Sequence, residues 1–424
     1  MSKRLLSLLL ILILSNALAF AQTKPAAQAN PHAALTVEAK RLARLDSALQ
    51  EYVDKNQLAG IVAFVLQDGK PVYERAFGWA DKESNRKMTT DTIFRIASQT
   101  KAITSAAILM LLEDGKLNLD DPVWRFIPTF RNTKVAVKKD SGVEIVPAKR
   151  AITIRDLLTH TAGISYGTSP EVAALYEAKG LGPAAGMGWY TADKDEPVGV
   201  TMERLGTLPF VAQPGEAYVY GYNTDILGAV VEKAAGMPLD QFIRERITQP
   251  LGMKDTQFFL PLAEKNRLAT VYSSKDGQAV RAVEGSKGQG HYVDGPRKSF
   301  AGGAGLLSTA RDYARFLEMT RNGGTLDGVR VMSPRTVMLM RTNQAGTLHS
   351  QTGLGFGYGF QTTDRYGASG MDGVGAYGWS GAYGTSYRVD PESRLTMVLM
   401  IQQMPNGTDI QRKFSTLVYQ ALVH

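Results

Sequence analysis

The sequence predicts a mixed α/β fold in which one antiparallel sheet, built from both chain ends and flanked by helices, carries a mainly helical insertion. Three observations predict it. Strand-like segments lie near the start of the chain and again near its end. The stretch between them is dominated by helical patterns broken by Gly/Pro loops, and no repeating βα alternation of a parallel sheet runs through it.

Taken in order, residues 1–21 carry Lys3 and Arg4, an apolar run and a small-residue Ala19-Phe20-Ala21 end, which predicts a secretory signal peptide. Ser7, Ser15 and Asn16 interrupt the run, so a membrane-spanning anchor is not expected to remain after cleavage. Residues 22–35 read as an Ala/Pro/Gln-rich tether, and 36–424 as the folded domain, its α/β part at about 36–135 and 300–424 and its helical part at about 136–299. Leu42, Leu45, Leu49 and Val53 recur at helical spacing. Two apolar runs, 60–67 and 72–79, flank Asp68-Gly69-Lys70-Pro71 as a hairpin. Residues 97–114 predict a strong helix ending at Gly115. A second hairpin turns at Asp140-Ser141-Gly142, and helical segments follow at 154–159 and 225–235. Strands return at 377–381, 384–389 and 395–402, the Gly-rich stretch 366–378 reads as a mobile rim, and a helix over 408–423 closes the chain.

Composition excludes several classes of function. The absence of cysteine removes disulfides, thiol nucleophiles and cysteine-ligated metal, so an exported chain must rely on its core, for which 44% hydrophobic residues suffice. The formal charge is +8, of which Lys3 and Arg4 supply two, leaving +6 after signal removal, with the cations scattered rather than striped between aromatics. No nucleic-acid partner is expected. Five histidines without an H-x-x-x-H pair predict no metal site, and no cofactor motif is present: the Gly302 to Gly305 run lacks the Gly-Lys-Ser/Thr that would cradle phosphate.

Ser98-Gln99-Thr100-Lys101 opens the strong helix, which puts Ser98 and Lys101 on one face, one turn apart. A serine hydroxyl needs a base, and a lysine amine serves only when burial and the helix dipole bring its pKa well below about 10.4. The spacing alone is weak, since a chain of this length carries about one or two such pairs by chance. Ser84 and Lys87 form a second, in a polar loop with no helix to set its geometry.

Flanking residues select the first pair. Phe94-Arg-Ile-Ala-Ser-Gln-Thr-Lys, then Leu119-Asp-Asp-Pro-Val, Ile154-Arg-Asp-Leu-Leu-Thr-His-Thr-Ala-Gly, Gln213-Pro-Gly-Glu, Pro250-Leu-Gly-Met and Gly302-Gly-Ala-Gly-Leu-Leu-Ser-Thr-Ala-Arg-Asp follow in order. From about residue 36 to the C-terminus the chain resembles class C serine β-lactamases, penicillin-binding peptidases and their carboxylesterase relatives. The resemblance implies the β-lactamase/transpeptidase-like fold, with Ser98 as nucleophile and Lys101 as base. It also implies a second motif, Tyr-x-Asn, whose tyrosine is Tyr220. Position +2 is Tyr222 rather than Asn, which arrives one place late as Asn223, as in the esterase branch. The third motif, Lys-Thr-Gly or His-x-Gly, is replaced by Trp379-Ser380-Gly381. Trp379 would wall the substrate site, Gly381 would let substrate approach the strand, Tyr222 would line the site, and the backbone N–H groups of Ser98 and Ala382 would form the oxyanion hole.

Competing readings remain at this level. Gly163-Ile-Ser-Tyr-Gly167 matches a nucleophile elbow at Ser165, which His291 or His349 would complete, although a helix rather than a strand precedes it. His160 reads as a hydrogen-bonded structural histidine. The resemblance and the lost third-motif cation together predict an exported, periplasmic or secreted serine hydrolase that takes small ester, amide or β-lactam substrates. Short-chain or aryl esters lead, β-lactams and D-amino peptides are alternatives, and a non-catalytic sensor on the same fold is a third reading.

Overall fold

Asp68 and Gly69 both adopt positive φ, 51° and 73°, the backbone a two-residue hairpin loop requires, and Gln67 pairs with Lys70 across it. This turn joins the first two strands of the central sheet in a computed structural model that describes residues 35–182, 191, 193–285, 288–349 and 352–424. The expected leader at 1–21, and the 22–35 tether apart from Leu35, lie outside the described residues. The elements that position the site are, in chain order, α1 (Arg44–Asp54), β1 (Gly60–Gln67), β2 (Lys70–Asp81), β3 (Arg86–Lys87), α2 (Thr100–Glu113), α3 (Asn223–Ala235), α4 (Ala310–Arg321), β4 (Leu354–Phe356), β5 (Gln361–Thr363), β6 (Tyr377–Ser380), β7 (Ser386–Asp390), β8 (Leu395–Met400) and α5 (Ile410–Tyr419).

The eight strands form one antiparallel sheet in the order β4-β5-β6-β7-β8-β1-β2-β3, with β8 against β1 joining the two ends of the chain. Strand β1 is a nearly continuous apolar run because both of its faces are covered. Ile61, Ala63 and Val65 face a layer made by Leu45 and Leu49 of α1 with Ile410, Phe414 and Val418 of α5. Val62, Phe64 and Leu66 face the main core, which contains α2, α3 and α4. Helix α2 is buried from Thr100 to Leu111, so no amphipathic stripe marks it, and its rod runs through the centre of the molecule. Gly115 and Gly236, at φ 67° and 71°, terminate α2 and α3.

Between the two sheet segments lie short helices, including Ile154–Leu158 with a Thr153/Asp156 capping box, and Val198–Leu205. The insertion also holds two hairpins, Lys134–Lys139 with Gly142–Pro147, and Tyr272–Lys275 with Gln278–Arg281. The second of these, the edge strands β4 and β5, and the pairing of Thr36–Val37 with Leu422–Val423 are additions to the sequence reading. Each is short, two to four residues per strand, and the last gains its partner only from the far end of the chain.

Candidate active site

Ser98 sits in a single 3-10 turn, Ala97–Gln99, that leads into α2. The turn is strained at its start, where Ala97 holds φ 43° although it is fully buried and not glycine. Three neighbours hold it there. Phe94–Arg95 pairs with Leu307–Ser308, the Ile96 N–H donates to Leu306 O at 3.2 Å, and the Leu306 N–H donates to Thr100 Oγ1 at 3.1 Å. From the other side the end of β6 closes on the turn. A Cβ at Gly381 would stand 2.4 Å from Ile96 O and 2.3 Å from Thr385 Oγ1. Gly381 is therefore glycine so that the strand end can touch the Ile96 carbonyl, two residues before Ser98.

Lys101 is 1% exposed and makes three polar contacts. Its Nζ lies 2.7 Å from Gly303 O, 3.0 Å from Tyr166 OH and 3.4 Å from Ser98 Oγ. The Gly303 peptide is held in turn by Asp225, whose Oδ1 accepts the Gly303 N–H at 3.0 Å. Asp225 is completely buried, and loss of water pushes its carboxyl up to about 6, with the Lys101 charge and the Gly303 N–H pulling the other way. One residue, Gly303, thus links a buried carboxylate at its N–H to the lysine at its carbonyl.

Tyr220 also reaches this cluster. Its ring centroid is 4.7 Å from Lys101 Nζ, and its hydroxyl accepts from Trp379 Nε1 at 3.3 Å. The hydroxyl that meets Lys101 belongs to Tyr166, which sequence reasoning passed over as part of the false elbow. Burial first, and the neighbouring Tyr220 and Asp225 next, hold the Tyr166 phenol well above its ordinary value, so it remains protonated at any working pH. Ser165 is 5% exposed and its Oγ accepts the Gly167 N–H at 3.1 Å, which makes it part of a turn instead of an open nucleophile. The second S-x-x-K pair comes apart as well: Ser84 is exposed, and Lys87 lies over the Trp79 ring at 3.5 Å.

The second-motif neighbours are structural. Tyr222 is fully buried, packs edge-on against Tyr166 with ring centroids 4.9 Å apart, and accepts the Gly182 N–H at 3.1 Å. It lies behind the site and does not line it, a correction to the sequence reading. Its neighbour Asn223 donates to His160 Nδ1 at 2.9 Å and reaches Ile164 O and Val219 O, so it does not take the place of the missing motif residue. His160 is buried and neutral, its pKa held well below the usual value by burial and then by Lys101, and its ring lies 4.7 Å from that of Tyr220. It acts as a bracket.

Trp379 completes an aromatic wall with Tyr220 at 5.6 Å and Phe356 at 5.3 Å, and His349 lies 6.5 Å away. Ala382 is the second residue of the turn Gly381 to Gly384, closed by the Gly384 N–H on Gly381 O at 2.9 Å, and its side chain packs beside Ala97. Among the described residues no group of three or more His, Cys, Asp or Glu is placed to hold a metal ion, and no helix is long and apolar enough to cross a membrane.

Comparison with known proteins identifies the family of this fold. The Beta-lactamase family model matches residues 45–420. The chain is 35% identical over 399 residues to Esterase EstB of Burkholderia gladioli, covering 90% of this chain and 95% of that one. It is 31% identical over 291 residues to Lovastatin esterase of Penicillium rubens, 66% of this chain and 69% of the relative. Among solved structures it is similar to EstCE1, described as a hydrolase with promiscuous acyltransferase activity, with a TM-score of 0.74, 27% identity, and coverage of 90% and 98%. With the matched model spanning almost the whole described fold, the chain belongs to the beta-lactamase family and is a serine hydrolase of that fold.

Proposed function

We propose that the protein is a carboxylesterase acting on short-chain or aryl esters through an acyl-enzyme, with Ser98 as nucleophile, Lys101 as base and Tyr220 as proton donor. The observation that carries this reading is the surround of Lys101. Gly303 O and Tyr166 OH take two of its three directions, and Ser98 Oγ lies on the third. With two of its directions so engaged, the amine points the third at the serine hydroxyl, the direction along which a base must take the proton. Ser98 Oγ forms a bond to the ester carbonyl carbon as its proton passes to Lys101, and the oxyanion is held by the N–H groups of Ser98 and Ala382. The carbon–oxygen bond to the alcohol then breaks, Tyr220 protonates the departing alkoxide, and the Lys101 ammonium restores the tyrosine. Water attacks the acyl-serine by the same route in reverse.

Ester preference rests on the wall of Trp379, Tyr220 and Phe356, which offers rings and no cation where penicillin-recognising relatives of this fold carry one. The name of the Burkholderia relative points the same way. The leader at 1–21 would take the chain out of the cytoplasm, to the periplasm or beyond.

The test compares purified chain and its Ser98→Ala variant on p-nitrophenyl butyrate and a chromogenic cephalosporin, with mass spectrometry of the acyl adduct. Ester turnover should exceed cephalosporin turnover and fall at least about a thousandfold in the variant. Equal turnover by the two proteins overturns the assignment of Ser98. Faster cephalosporin turnover overturns the ester reading but leaves Ser98 standing.

A further inference from the structure

A concavity lies apart from the cluster of Ser98, Lys101 and Tyr220. It is a cavity of about 640 Å3, none of whose lining residues belongs to the catalytic cluster. That volume falls within the range of small-molecule sites. Its apolar wall is an interlocked set of three phenyl rings, Phe300 meeting Phe258 at 5.4 Å and Phe259 at 6.1 Å, both edge-on. Gly305 makes room for this set, since a Cβ there would stand 2.9 Å from Phe258 Cδ1.

Four charged side chains also line it, and their charges do not balance. Arg244, Lys254 and Arg297 meet one lining carboxylate, Asp240, which stands 3.6 Å from Arg244, and Glu245 outside the lining stands 3.8 Å from the same arginine, so Lys254 and Arg297 carry the surplus. Arg297 is held in place at some cost. It adopts φ 56°, which a non-glycine residue rarely does, while its Nη2 donates to Leu260 O at 2.8 Å and Val293 O at 3.0 Å. Arg244 opens a π-helical turn, Arg244–Thr248, a local irregularity often found at binding sites. Hydrocarbon walls beside surplus positive charge suit an amphiphile with one anionic head.

We propose that this cavity is a binding site for an amphiphilic monocarboxylate, its hydrocarbon or aryl part against Phe258, Phe259 and Phe300 and its carboxylate between Lys254 and Arg297. The site is separate from the catalytic cleft and stands whether or not the ester reading does. It is joined to the cleft by one short stretch of chain. Phe300 and Leu306 line the cavity, and Gly303 between them accepts the hydrogen bond from Lys101.

The experiment is calorimetric titration of the full chain with phenylbutyrate and with its uncharged counterpart phenylbutanol. It is repeated on a Lys254→Glu/Arg297→Gln variant and on chain whose reactive serine carries a diethylphosphoryl group. One phenylbutyrate should bind per chain, about tenfold more weakly to the variant, because two attractive charges are removed and one repulsive charge is added. Phenylbutanol should bind both proteins alike, the phosphorylated chain should bind phenylbutyrate as the free chain does, and the variant should keep its circular dichroism spectrum and Tm as proof of folding. Equal affinity of phenylbutyrate for variant and parent overturns the proposal. So does loss of binding on phosphorylation, which would place the ligand in the catalytic cleft, and so does an absence of binding at millimolar ligand.

Discussion

Lys101 is tied down by groups far from it in the chain, and this decides which substitutions report on chemistry. Tyr166→Phe removes the hydroxyl that takes one of the lysine hydrogens and leaves the ring that packs on Tyr222. We expect turnover of p-nitrophenyl butyrate to fall about tenfold to a hundredfold with KM little changed, since the lost contact orients the base and does not touch substrate. A wild-type rate for this variant would show that Tyr220 alone serves the lysine. Tyr222→Phe makes the contrast. It removes the acceptor for the Gly182 N–H behind the site, so it should lower stability by about 1 kcal/mol and leave KM unchanged. Asp225→Asn separates charge from geometry, because the amide oxygen still accepts the Gly303 N–H. The folded-state pKa of Asp225, about 6, lies above that of an unfolded carboxyl, so the native chain binds this proton more tightly. The resulting stabilisation is complete below about pH 4 and is lost as pH rises through 6. Urea unfolding at several pH values should therefore show Asp225→Asn gaining on the wild-type chain as pH rises from 4 to 8. A difference independent of pH would refute ionisation of Asp225 in this range.

At the scale of elements, the site depends on the contact between the end of β6 and the turn that opens α2. Gly381→Ala tests it. The added methyl would meet the Ile96 carbonyl at 2.4 Å, and a backbone oxygen cannot rotate away as the Thr385 hydroxyl can. The strand must then withdraw from the turn, carrying Ala382 away from Ser98. We expect kcat to fall about a hundredfold or more, in line with displacing a catalytic group by about 1 Å, while the circular dichroism spectrum is kept. The elements themselves were largely legible. The Asp68-Gly69 hairpin, the Gly115 and Gly236 helix ends and the strands over 377–402 follow from local chemistry that needs no partner. Strands β4 and β5 were not legible. They are three residues each, sit at the edge of the sheet, and owe their conformation to β6.

Across the whole molecule, the sheet separates stability from catalysis. Its outer face packs on α1 and α5, and its inner face, with Trp379 at one end, packs on the helices that carry Ser98 and Lys101. Phe414 of α5 is 3% exposed in the outer layer. Phe414→Ala should cost about 3 kcal/mol, visible as a lower Tm, while kcat and KM of the folded enzyme stay at wild-type values. A changed KM would mean that the two faces are coupled. The folded chain also joins its own ends, β1 against β8, so the outer layer forms only when residues more than 300 positions apart have met.

What the sequence determined by itself was the set of locally coded elements and the closeness of Ser98 to Lys101, because residues three apart in a helical turn share a face. It also placed Trp379 at the site, through the order of the surrounding motifs. Only the tertiary structure decided which tyrosine hydroxyl meets the lysine, that Tyr222 and Asn223 belong to the supporting core, that Gly381 serves backbone contact, and that Asp225 stands behind Gly303. Each of these is a meeting of segments distant in sequence: Tyr166 is 65 residues from Lys101, and Gly303 is 202 away. The direction of a side chain in such a meeting follows from how whole layers pack, which no local pattern of residues encodes.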